Sequence, residues 1–129
     1  MIFYETWRQV LAGTKTETTR LTEPRFQVGN VIAVQPGRGK KAIAYIQIDG
    51  IRRCSLKEQL PHFTEEGFKS GWDFLKTFML LNKLNITLNV LRTEVTVYKF
   101  HLVNKKERRK KPNDSQARET RNNTGRQDE

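Results

Sequence analysis

Residues 13–21 of this chain read Gly-Thr-Lys-Thr-Glu-Thr-Thr-Arg-Leu and are polar up to Leu21. A segment built only for packing would carry apolar residues at every second position in a strand, or at every third or fourth in a helix. This segment carries four threonines instead, and a lysine and an arginine lie on either side of Thr18. Its polarity indicates one of two roles, a solvated edge strand or the wall of a binding site.

A short helix is predicted before this segment, and strands are predicted after it. Trp7, Val10 and Leu11 have the i, i+3, i+4 spacing of a helix. Gly13 can end that helix because glycine adopts the left-handed conformation at little cost. Extended patterns occur in the segments 1–4, 15–21, 31–34, 42–49, 86–91 and 93–103. The segment 42–49 is apolar on both faces, so we expect it to be a central strand.

Two further helices are predicted from their capping residues. Ser55 with Glu58 three positions later has the spacing of a capping box, and Ser70 with Asp73 repeats it before a longer apolar segment. That second helix carries two apolar rows and is expected to pack widely on the sheet: Trp72, Leu75, Met79 and Phe74, Phe78, Leu81. Strands joined by turn-length links predict an α+β fold, a small mixed β-barrel of about five strands with two or three short helices.

The C-terminal residues differ in composition from the rest of the chain. Residues 104–129 hold nine Lys or Arg and five Asp or Glu, and they contain no apolar cluster. Such a segment cannot bury enough apolar surface to offset its ordering entropy. We therefore predict a folded domain at 1–103 and a disordered basic tail at 104–129. The densest cations of the tail are Lys105, Lys106, Arg108, Arg109, Lys110 and Lys111.

The net charge of +10 is shared between the domain and the tail. A positive surplus of this size favours polyanionic partners, with nucleic acid first and an anionic membrane second. Simple solubility is the alternative explanation. The turn at 36–41 contributes Arg38, Lys40 and Lys41, which we expect to contact a nucleic-acid backbone. The tail cations are expected to bind phosphates in the same way, and a solvated tail without a specific role is the alternative.

The remaining composition argues against several classes of protein. Cys54 is the single cysteine and can form no internal disulfide, which suits the reducing cytoplasm. His62 and His101 lie far apart without ligand spacing around them, so neither a metal site nor a cofactor is expected. Residues 1–10 lack the apolar core of a signal peptide, and no run reaches the ~20 apolar residues of a membrane span. No membrane partner is expected.

Four motifs, taken in order, resemble those of the ASCH domain, a PUA-like β-barrel fold. They are Gly13-x-Lys15-x-x-Thr18-x-Arg20 after a short helix, Phe26-x-x-Gly29-Asn30, Glu66-Gly67-Phe68 followed by Ser70 and Phe74, and Tyr98-x-Phe100. The last position of the second motif is commonly Asp in that family, and here it is Asn30. The similarity covers roughly residues 1–103 and leaves the tail outside it.

The resemblance implies work on nucleic acids or nucleotides. The wider PUA-like superfamily binds RNA, and ASCH proteins have been proposed as RNA-binding modules in translation and its regulation. Some small members of the ASCH family are amidohydrolases that deacetylate acetylcytidine, and at least one resembles a ribonuclease. The lysine, threonine and glutamate of the amidohydrolase site match Lys15, Thr18 and Glu66 here. The resemblance therefore leaves three hypotheses open. The chain is an RNA- or nucleotide-binding module, a metal-independent amidohydrolase or a ribonuclease.

The catalytic reading imposes two physical requirements. Threonine becomes a nucleophile only when a base removes its proton, and a lysine with an ordinary pKa near 10.4 must lose roughly three pKa units to act as that base. Burial and Arg20 would lower this pKa, whereas Glu17 and Glu66 would raise it. In a regular strand Thr18 and Arg20 share a face and Lys15 points away from it. Lys15 is therefore expected in the turn after Gly13, or at a bulge.

Overall fold

The computed structural model of the chain describes residues 1–87 and 89–104. The tail cations from Lys105 to Lys111 lie outside these residues. In chain order the elements are α1 (Trp7–Ala12), β1 (Glu17–Arg20), β2 (Val31–Val34), β3 (Ala44–Ser55), α2 (Leu56–Gln59), α3 (Gly71–Leu81) and β4 (Glu94–Val103), with single turns of 3-10 helix at Leu60–His62 and Val90–Arg92. This composition confirms the predicted α+β fold. None of the helices in the described part of the chain has the length and apolar character needed to cross a membrane.

The described strands form one antiparallel sheet with the order β1-β4-β3-β2. The sheet curls into a half-barrel, as expected for a small barrel fold. β3 pairs with β2 on one side and with β4 on the other, which confirms its central position. A register shift between Ile48 and Gly50 bends β3, because a bulge increases the local twist of a strand. The bend lets one long strand serve two parts of the core.

The core consists of two clusters that share the sheet. The first joins the N-terminal segment and α1 to the sheet and contains Phe3, Val10, Val34, Ile46, Ile48, Tyr98 and Phe100. The second lies under α2 and α3 and contains Leu56, Phe74, Phe78, Met79, Val90, Val95 and Val97. β4 contributes to both clusters, so it connects them. The polar segment that precedes β1 lies near the boundary of the two.

Several local signals in the sequence determine where elements begin and end. Gly13 takes the left-handed conformation at φ 78°, and its N–H donates to the carbonyl oxygens of Gln9 and Val10. Ser55 and Glu58 form the predicted capping box before α2. The Ser70 hydroxyl accepts a hydrogen bond from the Asp73 N–H and caps α3. These three predictions are confirmed.

Two of the predicted strands are absent from the described residues. Residues 1–4 form only a single parallel bridge, between Ile2 and Gln35. The described part of 86–91 is a loop that ends in 3-10 helix, and Ile86 is 69% exposed. In this loop the Asn89 N–H donates to the Thr87 hydroxyl, a local bond that competes with sheet pairing. The apolar pattern of 86–91 therefore gave a wrong prediction.

The predicted packing of α3 is only partly confirmed. Phe74, Phe78 and Met79 are buried, whereas Trp72 is 53% exposed and Leu81 is 49% exposed. The buried stripe is narrower than the two rows predicted from the sequence. One helix face packs on the sheet, and the ends of both rows reach the surface.

The turn at 64–68 is attached directly to the start of β1. The backbone N–H groups of Thr16 and Glu17 both donate to the Glu65 carbonyl, at 2.8 and 2.9 Å. Gly67 makes the turn possible because its φ of 89° lies in the left-handed region. A Cβ at this position would lie 3.2 Å from the Cβ atoms of Gln9 and Lys15. Gly67 therefore sets how closely the turn approaches Lys15.

We predict that Gly67→Ala destabilises the fold more than Gly39→Ala does. Both glycines have positive φ, so both variants incur a left-handed penalty of roughly 1–2 kcal/mol. A Cβ at Gly39 would meet nothing within 4 Å, whereas a Cβ at Gly67 would crowd two side chains, which costs roughly 1–3 kcal/mol more. Urea unfolding of the two variants and the wild type measures the difference. Equal midpoints for the two variants would contradict the close approach at Gly67.

Candidate functional site

A cavity of about 160 Å³ lies between the N-terminal segment, β1, the turn at 64–68 and α3. Its polar wall is formed by Lys15, Thr18, Thr19, Arg20 and Glu66. Its apolar wall includes Phe68 and two aromatic residues of α3, Phe74 and Phe78. The cavity thus brings together the residues at the three family-matched positions, although Glu66 is distant from Lys15 in the sequence.

Lys15 and Glu66 form a buried ion pair at the base of this cavity. They are 3% and 1% exposed, and the Lys15 Nζ lies 3.3 Å from the Glu66 Oε1. The same ammonium donates to the Glu66 backbone carbonyl at 2.7 Å. The Lys15 backbone N–H donates to the Gln9 carbonyl, so the residue lies in the turn after Gly13, before β1 begins. Of the two locations that strand geometry allowed, the turn after Gly13 and a bulge, the structure has the turn.

The pKa of Lys15 is lowered to about 8 from its ordinary value of 10.5. Burial is the largest cause, because it disfavours the charged form, and the nearby Arg20 charge acts in the same direction. Glu66 and Glu17 oppose them. The Lys15 Nζ also lies 6.0 and 5.8 Å from the ring centroids of Phe3 and Phe68. Burial and Arg20 therefore outweigh Glu17 and Glu66, and the pKa of Lys15 is lowered.

Two neighbouring threonines of β1 have different roles in the cavity wall. The Thr19 hydroxyl donates to the Glu66 Oε2 at 2.5 Å. The Thr18 hydroxyl lines the cavity and has no protein hydrogen-bond partner within residues 1–87 and 89–104. Sequence reasoning missed Thr19, since the motif points only to Thr18. The signal available in the sequence was that Thr19 places a second hydroxyl directly after Thr18. A twisted edge strand can present two successive residues to one cavity.

Arg20 lines the cavity and carries an unsatisfied donor. Its Nη2 donates to the Ile2 carbonyl at 2.9 Å, and its guanidinium carbon lies 5.2 Å from the centroid of the Phe3 ring. Its Nε is buried and has no hydrogen-bond partner in the described part of the chain. A buried donor without a partner costs free energy, and such groups need an explanation. No acceptor among the described residues supplies one.

A second polar network lies behind the Lys15–Glu66 pair. The Gln59 Nε2 donates to Glu66 Oε2 at 2.8 Å and to Glu17 Oε1 at 2.9 Å. Arg52 donates to both Glu17 oxygens, at 3.3 and 3.2 Å. Burial tends to raise the pKa of Glu17, but the hydrogen bonds from Arg52 and Gln59 lower it below its ordinary value. Sequence analysis identified neither Gln59 nor Arg52, because neither belongs to a motif.

The other candidate cations lie outside the cavity. Arg38, Lys40 and Lys41 are exposed in the turn between β2 and β3, and none of them lines the cavity as the described residues define it. Gly37 of this turn lies against the side chain of Tyr4. A Cβ atom at Gly37 would be 3.8 Å from the Tyr4 ring. Tyr4 does line the cavity and is 46% exposed. The basic turn therefore lies next to the cavity rim.

Both histidines lie at the surface. The His101 Nδ1 is 2.7 Å from an Asp49 carboxylate oxygen, and the His62 Nδ1 is 4.0 Å from Glu17. Neither histidine lines the cavity within the described ranges 1–87 and 89–104. In those same ranges, no group of three or more His, Cys, Asp and Glu residues is placed to hold a metal ion.

Comparison with known proteins identifies the fold through structure rather than through sequence. No protein-family model matches the chain, and no curated protein matches its sequence. The ASCH domain from Lactobacillus crispatus matches with a TM-score of 0.50 and 17% identity, over 74% of this chain and 68% of that one. ASCH from Zymomonas mobilis matches with a TM-score of 0.57 and 15% identity, over 83% and 73%. The hypothetical protein PH0355 matches with a TM-score of 0.56 and 20% identity, over 80% and 96%. The chain has the ASCH-domain fold.

The lowered pKa of Lys15 predicts a stability that rises with pH in a defined window. Between pH 8 and 10.5 the unfolded lysine is protonated and the folded one is not, so raising the pH opposes unfolding. Below pH 8 both states are protonated and the contribution is constant. We expect the unfolding free energy of the wild type, minus that of Lys15→Met, to rise by up to ~1.4 kcal/mol per pH unit in this window.

Urea unfolding of both proteins at several pH values from 7 to 10 measures this difference. Subtracting the variant cancels the contributions of the other titrating groups, which both proteins share. A difference that stays flat across the window would show that the folded protein does not lower the pKa of Lys15.

Proposed function

We propose that this chain, which has the ASCH-domain fold, binds RNA or a nucleotide by holding one base in the cavity beside Lys15. The observation that supports this most directly is the buried Arg20 Nε, which has no partner among the described residues although Arg20 lines the cavity. The Thr18 hydroxyl adds a second group in the same wall with no protein partner in those residues. Unpaired polar groups on residues that line one concave site support a ligand there.

The size of the cavity limits what it accepts. A closed cavity of roughly 150 Å³ holds one benzene molecule, whereas pockets for larger ligands span about 300–1,000 Å³. The 160 Å³ here therefore suits a single small ring with the rest of the ligand at the mouth. Phe68, Phe74 and Phe78 give this ring an apolar surface, and the polar wall faces its edge.

The polar wall favours a ligand edge that accepts hydrogen bonds. The ammonium of Lys15 has three protons, and its two described contacts are with Glu66. The third proton, the Arg20 N–H and the Thr18 hydroxyl are available as donors. The carbonyl oxygens and ring nitrogens of a nucleobase are acceptors of the kind this wall would bind.

The surroundings of the cavity extend the proposed interface toward a polynucleotide. Tyr4 is exposed at the rim and can stack on a neighbouring base, since every base has a π-face. The adjacent turn adds Arg38, Lys40 and Lys41 for phosphates. In this proposal residues 1–103 form the binding domain, and the cations of 104–129 add contacts to phosphates that do not depend on sequence.

We predict that the cavity and the tail contribute separably to RNA binding. Arg20→Lys keeps the charge but removes the Nε donor, so affinity for a fluorescein-labelled single-stranded RNA should fall roughly tenfold at every salt concentration. Replacing the six cations between Lys105 and Lys111 by Gln should instead reduce the slope of log K against log salt, by up to about 4. Fluorescence anisotropy across a salt series measures both effects.

Arg25→Lys is the matched control for the cavity variant, because Arg25 is exposed and does not line the cavity in the described structure. It should bind RNA as the wild type does. Failure of the wild type to bind at low salt would contradict the proposed function. A salt slope unchanged by the six substitutions would remove the tail from the interface.

A second candidate function, amide hydrolysis, is favoured by one specific observation. Lys15 combines a pKa of about 8 with a position in the same cavity wall as the unpartnered Thr18 hydroxyl. At pH 7 about one lysine in ten would be neutral and able to accept a proton. This proposal assigns Thr18 as the nucleophile and Lys15 as its base, with Glu66 holding Lys15 in place. An acylated nucleoside such as acetylcytidine is the substrate that the resemblance suggests.

The proposed reaction proceeds in two balanced steps. In the first, Lys15 takes the Thr18 proton as the Oγ attacks the acyl carbon, and the same proton then passes to the departing amine, leaving an acyl ester on Thr18. In the second, water attacks this ester while Lys15 accepts its proton and returns it to the Thr18 oxygen. The products are the free amine and a carboxylic acid.

We predict that Thr18→Ala abolishes any deacetylation of acetylcytidine, with a loss of roughly a hundredfold or more, because the nucleophile is absent. Thr18→Ser should retain part of the rate, since it preserves the hydroxyl. Chromatographic assay of cytidine release measures all three proteins. No release by the wild type would exclude this substrate, and equal rates for wild type and Thr18→Ala would exclude the assigned nucleophile. Labelled RNA, incubated without added metal, tests ribonuclease activity separately.

A further inference from the structure

Gln59 lies behind the cavity with its side-chain amide between two carboxylates. It is the last residue of α2 and is fully buried, at 0% exposure. Its Nε2 donates to Glu66 at 2.8 Å and to Glu17 at 2.9 Å. One amide nitrogen has two protons, and each is directed to a different carboxylate. Gln59 therefore links the glutamate of the cavity to a glutamate nearer the surface.

Arg52 determines which way the Gln59 amide faces. A guanidinium group donates hydrogen bonds and accepts none, so the atom of Gln59 that contacts Arg52 must be its carbonyl oxygen. Arg52 donates to this oxygen and to Glu17 together. The Gln59 Nε2 is thereby turned toward the carboxylates. The reversed amide would place an acceptor against two carboxylates and leave Arg52 facing a donor.

These contacts fix both oxygens of the Glu66 carboxylate. The Oε2 accepts hydrogen bonds from Gln59 and Thr19, and the Oε1 accepts one from Lys15. The resulting chain runs from the Lys15 cation to Glu66, through the neutral Gln59 amide to Glu17, and then to the Arg52 cation. Each buried carboxylate has a cation on one side and a shared amide on the other. A carboxylate held in this way cannot rotate away from Lys15.

We propose that Gln59 is a positioning residue of the cavity: it holds the Glu66 carboxylate against Lys15, and Arg52 sets the orientation of its amide. The effect on ligand binding rests on the function proposed above, whereas the effect on Lys15 does not. A purely structural role would be different. Gln59 would then stabilise the junction of α2 and β1, and its loss would lower stability without changing Lys15.

The titration of Lys15 separates these two roles. The charged groups that act on its ammonium are Glu66, Glu17 and Arg20, and burial acts with Arg20 to lower its pKa to about 8. Glu66 is the strongest influence in the opposite direction. If Glu66 is released from its position, the stabilisation of the ammonium weakens. The Lys15 pKa then falls further below about 8.

The test uses Gln59→Met in the full chain, since methionine has a similar length and no amide. The ¹³Cε signal of Lys15, assigned by its loss in Lys15→Met, is followed from pH 6 to 10. We expect a lower titration midpoint in Gln59→Met than in the wild type, and a roughly tenfold weaker affinity for the labelled single-stranded RNA. An unchanged midpoint with a lower unfolding temperature would overturn the proposal and leave Gln59 a structural residue.

A second variant keeps the test decisive if Gln59→Met does not fold. Arg52→Lys retains the charge but loses the planar fork that binds Glu17 and Gln59 at once. It should lower the Lys15 midpoint in the same direction by a smaller amount. Arg53→Lys is the matched control, because Arg53 contacts Thr22 and Thr96 instead and should leave the midpoint unchanged.

Equal midpoints for Arg52→Lys and Arg53→Lys would overturn the role assigned to Arg52. The RNA measurement distinguishes failure of this proposal from failure of the proposed function. If the wild type binds no RNA, the proposed function fails, and the Lys15 midpoints still decide the role of Gln59.

Discussion

The buried contact between Lys15 and Glu66 organises the site and fixes the geometry around it. The Lys15 ammonium holds both the carboxylate and the backbone carbonyl of Glu66, so it ties the start of β1 to the turn at 64–68. Backbone bonds from Thr16 and Glu17 to Glu65 run beside it. Removing either partner would leave an uncompensated buried charge, which typically costs roughly 3–5 kcal/mol. This junction joins two walls of the cavity, β1 and the turn at 64–68.

Stability alone does not explain why the chain keeps such a pair. Well-packed apolar residues of similar volume often stabilise a protein as much as a buried ion pair does, or more, because two charges need not be desolvated. Here the pair also depends on Gln59 and Thr19 to satisfy the remaining oxygen of Glu66. Next to it, the Arg20 Nε is buried without a partner in the described residues. The ligand proposed above would give this costly and incomplete polar arrangement a role.

The sequence predicted those features that local chemistry controls. Strand alternation excluded Lys15 from the face of Thr18 and so predicted it in the turn after Gly13 or at a bulge. The capping residues located α2 and α3. The sequence could not reveal Gln59, because a lone glutamine gains a role only through contacts with residues distant in the chain. The same limit explains the error at 86–91. Its apolar alternation resembles a strand, but loop hydrogen bonds at Asn89 prevail there.

In the two functions proposed above, the protonation state of Lys15 would decide between binding and reaction. As an ammonium, Lys15 is a donor for an acceptor on the ligand; as an amine, it can take a proton from the Thr18 hydroxyl. A ligand that carries negative charge into the cavity would favour the ammonium and therefore simple binding. A neutral amide that excludes water without adding charge would favour the amine and therefore reaction. With a pKa of about 8, Lys15 is mostly an ammonium at pH 7, so only a ligand that lowers this pKa further would favour the amine. The chemistry of the ligand would thus select between the two proposed functions, while the protein groups stay the same.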